Sequence, residues 1–301
     1  MNSTPASRAR LITVGETMVM LTPAHAESLA TADELRLHIG GAESNVAVHA
    51  TALGIESAWV SAVGADVLGD RVRGAVAERG VDTTWVHTDP DAPTGVYFKD
   101  PGNGVLYYRR GSAASRLGPD DVADVPLEDA VVVHLSGITP ALSDTCAALV
   151  DVIIERVAAS SALLSFDVNH RAALWAPGEA APTLQALARR ADIVFVGLDE
   201  AHDVWGCDTP DDVRRLIPEP ATVVVKDGDV GATGFSADAV TFVPATLTEV
   251  IEPVGAGDAF AAGYLSALIG GADAAERLAA GHARACLVLS STSDLVDDTP
   301  S

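Results

Sequence analysis

An α/β fold on a mostly parallel sheet, with a small β-sheet projecting from it as a lid, is the fold class this sequence predicts. Short valine-rich apolar runs alternate with alanine-rich helical patterns through most of the chain, which is the pattern of βαβ units. Two stretches break the alternation and read as extra strands. At 301 residues with 48% hydrophobic content, the chain can bury a large core. No internal repeat or low-complexity linker divides it, so residues 1–301 read as one domain.

In chain order, core strands are expected at Leu11–Val14, Ser57–Val63, Ala130–Leu135, Leu163–Asp167, Ile193–Val196 and Thr222–Lys226. Helices are expected at Glu43–Leu53, Leu68–Arg79, Ser143–Ala159, Thr183–Arg190 and Asp211–Leu216, the first closed by Gly54 as a C-terminal glycine. The stretches that break the pattern are Leu35–Ile39 and the pair Gly95–Lys99 and Val105–Arg109, a hairpin across Asp100-Pro101-Gly102-Asn103-Gly104. Together they make a lid from residues 17–40 and 93–110. Ligands of open α/β sheets sit at the carboxyl ends of the strands, where such a flap can cover them. Towards the end, Thr248–Ile251 reads as a strand end running into Gly255-Ala256-Gly257-Asp258. Phe260, Tyr264 and Leu268 then recur at helical spacing until Gly270-Gly271.

Composition narrows the function. Forty-two acidic residues stand against 19 basic ones, a net charge of -23, and the lysines are Lys99 and Lys226 alone. Nucleic acid and anionic membranes need a basic face and are not expected as partners. Cys146, Cys207 and Cys286 are far apart and form no CxxC pair, which points to a reducing cytoplasm and away from a zinc site or disulfide framework. The apolar run after Arg8 and Arg10 is broken by Gly15-Glu16, too short for a signal peptide, and no run reaches membrane-spanning length. Neither HExxH nor GxSxG spacing occurs.

The most informative segment is Gly255-Ala256-Gly257-Asp258. Its glycines let backbone approach a ligand, and the unpaired N–H groups of a first helical turn favour an anion. Asp258 would repel a phosphate unless it meets a group that must lose a proton, such as a sugar hydroxyl attacking the terminal phosphate of ATP. A plain strand-to-helix turn is the other reading of the tetrapeptide. Arg109 and Arg171 place two scarce guanidinium groups near one cleft, and arginine matches a carboxylate bidentately; surface charge balance is the alternative. Tyr97 and Tyr107 sit on lid strands, where aromatic residues are also ordinary strand formers. Gly41 allows a close backbone approach with Asn45 one helical turn on, or simply turns the chain. Lys226, Gly228 and Gly231 mark either a nucleotide-binding loop or a solvated turn.

These motifs resemble the ribokinase-like (PfkB) sugar kinases over nearly the whole chain. Gly40-Gly41-Ala42-Glu43-Ser44-Asn45 is similar to the family's N-terminal glycine motif and Glu252–Asp258 to its C-terminal signature. Within the family, the 2-keto-3-deoxygluconate kinases are the most similar branch. The likeness rests on Thr94-Gly95-Val96-Tyr97-Phe98, Tyr107–Ala113, Ser136-Gly137-Ile138-Thr139 and Asp167-Val168-Asn169-His170-Arg171 with Leu174-Trp175. The resemblance implies a three-layer α/β/α sandwich. It implies that Gly41, Asn45, Tyr97, Tyr107, Arg109, Asn169 and Arg171 contact a sugar acid, with Asp294 as a further acid in an off-pattern context. Asp258 would be the catalytic base beside an anion hole of Gly255, Ala256 and Gly257, and Lys226, Gly228 and Gly231 would border ATP. Glu200 matches part of an Asn-x-x-Glu metal and phosphate motif whose asparagine is replaced by Gly197, and Glu252 stands where aspartate is commoner.

The expectation is therefore an ATP- and Mg²⁺-dependent kinase that phosphorylates 2-keto-3-deoxygluconate, or a close sugar acid, at its primary hydroxyl. Its partners would be small molecules and a second copy meeting through the lid sheet. The rivals are a fructose, ribose or nucleoside kinase of the same family and a non-catalytic sugar-acid sensor. A Rossmann oxidoreductase fails because no GxGxxG follows Leu11–Val14.

Overall fold

The computed structural model describes residues 10–290 except 26, 238, 247, 249 and 251–253. The chain runs β1 (Leu11–Val14), β2 (Met18–Pro23), β3 (Leu35–Gly40), α1 (Ala42–Ala52), β4 (Ser57–Gly64), α2 (Val67–Ala77), β5 (Val86–Asp89), β6 (Val96–Asp100) and β7 (Gly104–Tyr108). It continues through β8 (Val132–Ser136), α3 (Asp144–Ala158), β9 (Leu163–Asp167), α4 (Ala180–Ala188), β10 (Ile193–Gly197), α5 (Leu198–Trp205) and α6 (Pro210–Leu216). The last elements are β11 (Thr222–Asp227), β12 (Gly231–Phe235), β13 (Val240–Pro244), α7 (Ala256–Ile269) and α8 (Ala274–Leu289).

The large sheet has the order β13-β12-β11-β10-β9-β8-β1-β4-β5, parallel from β11 to β5 and antiparallel at β12 and β13. Side chains of its central strands alternate between two cores, as the two-residue period of a strand requires. Ile12, Val133, Leu164, Val194 and Val223 face α3, α4, α5 and α6. Leu11, Val132, Ile193, Phe195 and Val224 face the other way, against Val46 and Ala50 of α1, Phe260 to Leu265 of α7 and Leu278 of α8. Two helical layers around one sheet result, the expected sandwich.

The small sheet has the order β3-β2-β6-β7, with β2 and β6 its parallel pair. One face carries Met18, Met20 and Tyr97 with Val105 beside them. On the other, Val19 and Ile39 pack with Val72 and Val76 of α2, and the apolar surface then runs out to exposed Leu35, Leu37, Leu106 and Tyr108.

Most expected elements occur within two or three residues of their predicted ends. Ser143 opens α3 by accepting a hydrogen bond from the Cys146 N–H, and Gly54 follows α1 with φ 85°. The expected strand at Thr248–Ile251 is corrected: Thr248 and Val250 carry no strand, and Leu247, Glu249 and Ile251 lie outside the described residues. The edge position is taken earlier by β13, which ends at Pro244 where the chain turns and the Ala245 N–H donates to the Val230 carbonyl.

Candidate active site

Helix α7 begins in an unusual way. Its N-cap Gly255 adopts φ 84°, a left-handed conformation that favours glycine, and has no side chain with which to cap the first turn. The N–H groups that open the helix are thus available to an anion, with the helix dipole behind them. Asp258 lies in this first turn, half-buried, and its Oδ2 accepts from Asn45 Nδ2 at 2.9 Å. Burial pushes its carboxyl up to about 7, with the Asp167 and Glu43 carboxyls adding to the rise against the opposing effects of Asn45 and Arg171. The carbonyl oxygen of the same amide, Asn45 Oδ1, is buried with no hydrogen-bond partner among the described residues. A buried acceptor is costly to leave unmatched, and a substrate hydroxyl is the kind of donor that would satisfy it.

Lys226 closes β11 beside this turn. Its ammonium donates to Asp167 Oδ2 at 3.1 Å, and a Cβ added at Gly257 would lie 3.3 Å from Lys226 Nζ. Burial acts to lower the pKa of Lys226, but Asp167, Glu200 and Asp258 outweigh it and hold the pKa above the usual lysine value. A fixed positive charge therefore stands next to the uncapped helix start.

A cleft of about 1050 Å³ joins these features to the small sheet. Every predicted site residue within the described chain lines it: Gly41, Asn45, Tyr97, Tyr107, Arg109, Asn169, Arg171, Glu200, Lys226, Gly228, Gly231, Gly255, Ala256, Gly257 and Asp258. Asp294 and Glu252 lie outside the described residues. At Gly41 a Cβ would stand 2.4 Å from the Glu16 carbonyl oxygen and 2.7 Å from Thr17 Cα, so no side chain fits there. Tyr97 and Tyr107 are paired residues of β6 and β7, their rings 5.7 Å apart on the cleft face. Asn169 holds φ 40°, the one positive φ outside glycine among the described residues. Arg171 is exposed and donates to the neighbouring His170 carbonyl at 3.0 Å.

Arg109 and Arg171 both reach the cleft, but Arg109 does so as half of an ion pair. It is buried just past β7 and paired with Glu16, its Nη2 2.5 Å from Oε2. Glu16 was read in the sequence only as a break in an apolar run. The signal for it was present, since a carboxylate buried between two strands requires a cation or several donors. Asp167, which anchors Lys226, is likewise a partner that only the fold brings into view.

On the nucleotide side, Gly228 and Gly231 border the cleft with φ 46° and 151°. Glu200 also lines it, but its carboxylate accepts N–H hydrogen bonds from His170 and from Gly197, the second closing the capping box of α5. Burial and the nearby Asp167 push the Glu200 carboxyl up to about 7. Among the described residues, no three His, Cys, Asp or Glu side chains cluster as a metal cage. The donors present suit a Mg²⁺ that is held mainly by phosphate oxygens and water, with at most one or two carboxylates.

Comparison with known proteins identifies the family. The profile of the pfkB family carbohydrate kinases matches residues 8–300. The chain belongs to that family. This pfkB kinase is 35% identical to the 2-dehydro-3-deoxygalactonokinase of Haloferax volcanii over 97% of its own length and 94% of that protein. It is 33% identical to the 2-dehydro-3-deoxygluconokinase of Thermoproteus tenax, over 93% and 88% respectively. Among solved structures, an uncharacterised sugar kinase of Pyrococcus horikoshii in complex with ATP shares its fold with a TM-score of 0.83 at 24% identity, covering 94% of this chain and 93% of that one. No described helix of this kinase is long and apolar enough to cross a membrane.

Proposed function

We propose that this carbohydrate kinase moves the terminal phosphoryl group of ATP to the primary hydroxyl of a 2-keto-3-deoxy sugar acid, derived from gluconate or galactonate, giving the 6-phosphate. The carrying observation is Asp258 in an uncapped, glycine-opened helix start, hydrogen-bonded to Asn45 in the same cleft as Arg171. Both named relatives support the sugar-acid class, one from each epimeric series.

In this reading the small sheet covers the substrate, with Tyr97 and Tyr107 against its carbon chain and Arg171 meeting its carboxylate. Asp258 takes the proton from the attacking hydroxyl, and Asn45 holds the carboxylate in place to do so. The N–H groups of Ala256, Gly257 and Asp258 and the ammonium of Lys226 stabilise charge on the transferring group. When bound with the nucleotide, Mg²⁺ neutralises phosphate charge. Positioning and electrostatics supply most of the acceleration. The position of transfer is tested by ³¹P and ¹³C NMR of the product: coupling at C6 supports the reading, and phosphate on any other carbon overturns it. We also read the exposed outer face of the small sheet as the contact for a second copy of the chain.

A further inference from the structure

Glu16 lies where the chain leaves β1 for β2, and its carboxylate collects three of the four crossings between the large and small sheets. Oε2 accepts from Arg109 Nε at 2.6 Å and Oε1 from Ser112 Oγ at 2.5 Å, which pins the return from β7. The entry into β6 presses on the same group, since a Cβ at Gly95 would stand 2.8 Å from Glu16 Oε1. Glu16 is 3% exposed and Arg109 8%. The pair is therefore dry and close, and its combined charge is near zero.

Arg109 nevertheless lines the cleft, with its Cζ 5.6 Å from the Tyr107 ring centre. A guanidinium has five N–H donors, and Glu16 engages only the Nε and Nη2 side, which leaves the Nη1 N–H groups for other acceptors. Arg171 differs in kind. It is exposed at the cleft and, among the described residues, has no carboxylate within ion-pair distance.

We propose that Glu16 is a positioning residue that cancels the charge of Arg109 and fixes its fork, so that the two arginines divide the substrate between them. Arg109 donates to uncharged oxygens, and Arg171 alone recognises the carboxylate. A neutral ion pair attracts a further anion weakly, whereas an uncompensated guanidinium attracts it through both charge and geometry. This division rests on the sugar-acid reading above.

The test compares kcat/KM for the 2-keto-3-deoxy sugar acid with kcat/KM for the same carbon chain whose carboxylate is reduced to an alcohol. The ratio of the two measures carboxylate recognition and is insensitive to losses shared by both substrates. Arg171→Ala is expected to lower the ratio by about tenfold or more, the worth of a charge-assisted hydrogen bond. The double variant Glu16→Gln/Arg109→Met removes the pair together and leaves no lone buried charge. It is expected to weaken both substrates alike and keep the ratio within about twofold. Glu16→Gln alone frees the Arg109 charge and is expected to raise the ratio, an effect that a purely structural carboxylate would not produce. If Glu16→Gln fails to fold, the double variant still decides. A collapsed ratio in the double variant, or an unchanged ratio in a folded Glu16→Gln protein, overturns the division alone. A wild-type ratio near one overturns the division and the sugar-acid reading together.

Discussion

Asp258 is pulled in two directions, because the start of α7 favours its charge while burial among other carboxyls opposes it. With its carboxyl pushed up to about 7, it is protonated below that pH and available as a base above it. The plot of kcat/KM against pH is expected to rise with pH through an apparent pKa near 7, and Asp258→Asn is expected to remove that limb. The same variant should cut kcat by about 10²–10⁴ while leaving substrate and nucleotide affinity nearly unchanged. Near-wild-type turnover would show that another group takes the proton. Arg171→Ala is expected to raise KM for the sugar acid by about tenfold or more and to leave KM for ATP in place. At this scale the sequence was most legible where a motif places chemistry by itself, as in Gly255 to Asp258. It was least legible for Glu16 and Asp167, whose meaning depends on partners 93 and 59 residues away.

A Cβ at Gly257 would stand 3.3 Å from Lys226 Nζ, so a bulkier side chain there presses on the ammonium, and Gly257→Val is expected to raise KM for ATP and lower kcat although Asp258 remains. Unchanged constants would reduce the segment to a plain turn. Asp66 caps α2 through the Gly69 N–H at 2.7 Å and also accepts from the Thr94 N–H and hydroxyl, both at 2.9 Å, just before the chain enters β6. Asp66→Ala is expected to cost about 1–2 kcal/mol, read as a lower urea midpoint at constant m-value. Burial acts to raise the Asp66 pKa, but the Thr94 and Gly69 amides outweigh it and hold the pKa below the ordinary value. Its contribution to stability is thus present above the unfolded carboxylate pKa and lost as pH falls through the folded one. The βαβ elements were legible because their apolar periods are clean. β12 was not, since Gly231 and Gly234 dilute its strand character. Nor was α8, although Asp273 and Glu276 form a capping box at its start, because the glycine pair before it looked like the end of regular structure.

Across the whole molecule, a net charge of -23 sets the response to salt. Like charges repel more in the compact state than in the unfolded one, and screening shortens from about 10 Å at 0.1 M salt to about 3 Å at 1 M. The unfolding midpoint is expected to rise with NaCl over that range, as followed by circular dichroism; a falling midpoint would mean that attractive pairs such as Arg156–Glu128 dominate instead. The exposed outer face of the small sheet, with Leu106 51% and Tyr108 64% accessible, is expected to close a dimer. Leu106→Glu/Tyr108→Glu should then shift the mass by light scattering from dimer to monomer. The βαβ alternation on a mostly parallel sheet was legible from pattern and the sandwich from the family resemblance, whereas the meeting of three chain crossings at one buried carboxylate belongs to the folded state. The central claim, a kinase selective for a 2-keto-3-deoxy sugar acid, is tested most directly by one coupled ADP-release assay over a panel. The panel holds the gluconate- and galactonate-derived keto acids, fructose, ribose and a nucleoside, each with ATP and Mg²⁺. The predicted result is a kcat/KM for at least one keto acid about tenfold or more above every neutral substrate; equal or higher values for fructose, ribose or the nucleoside would contradict it.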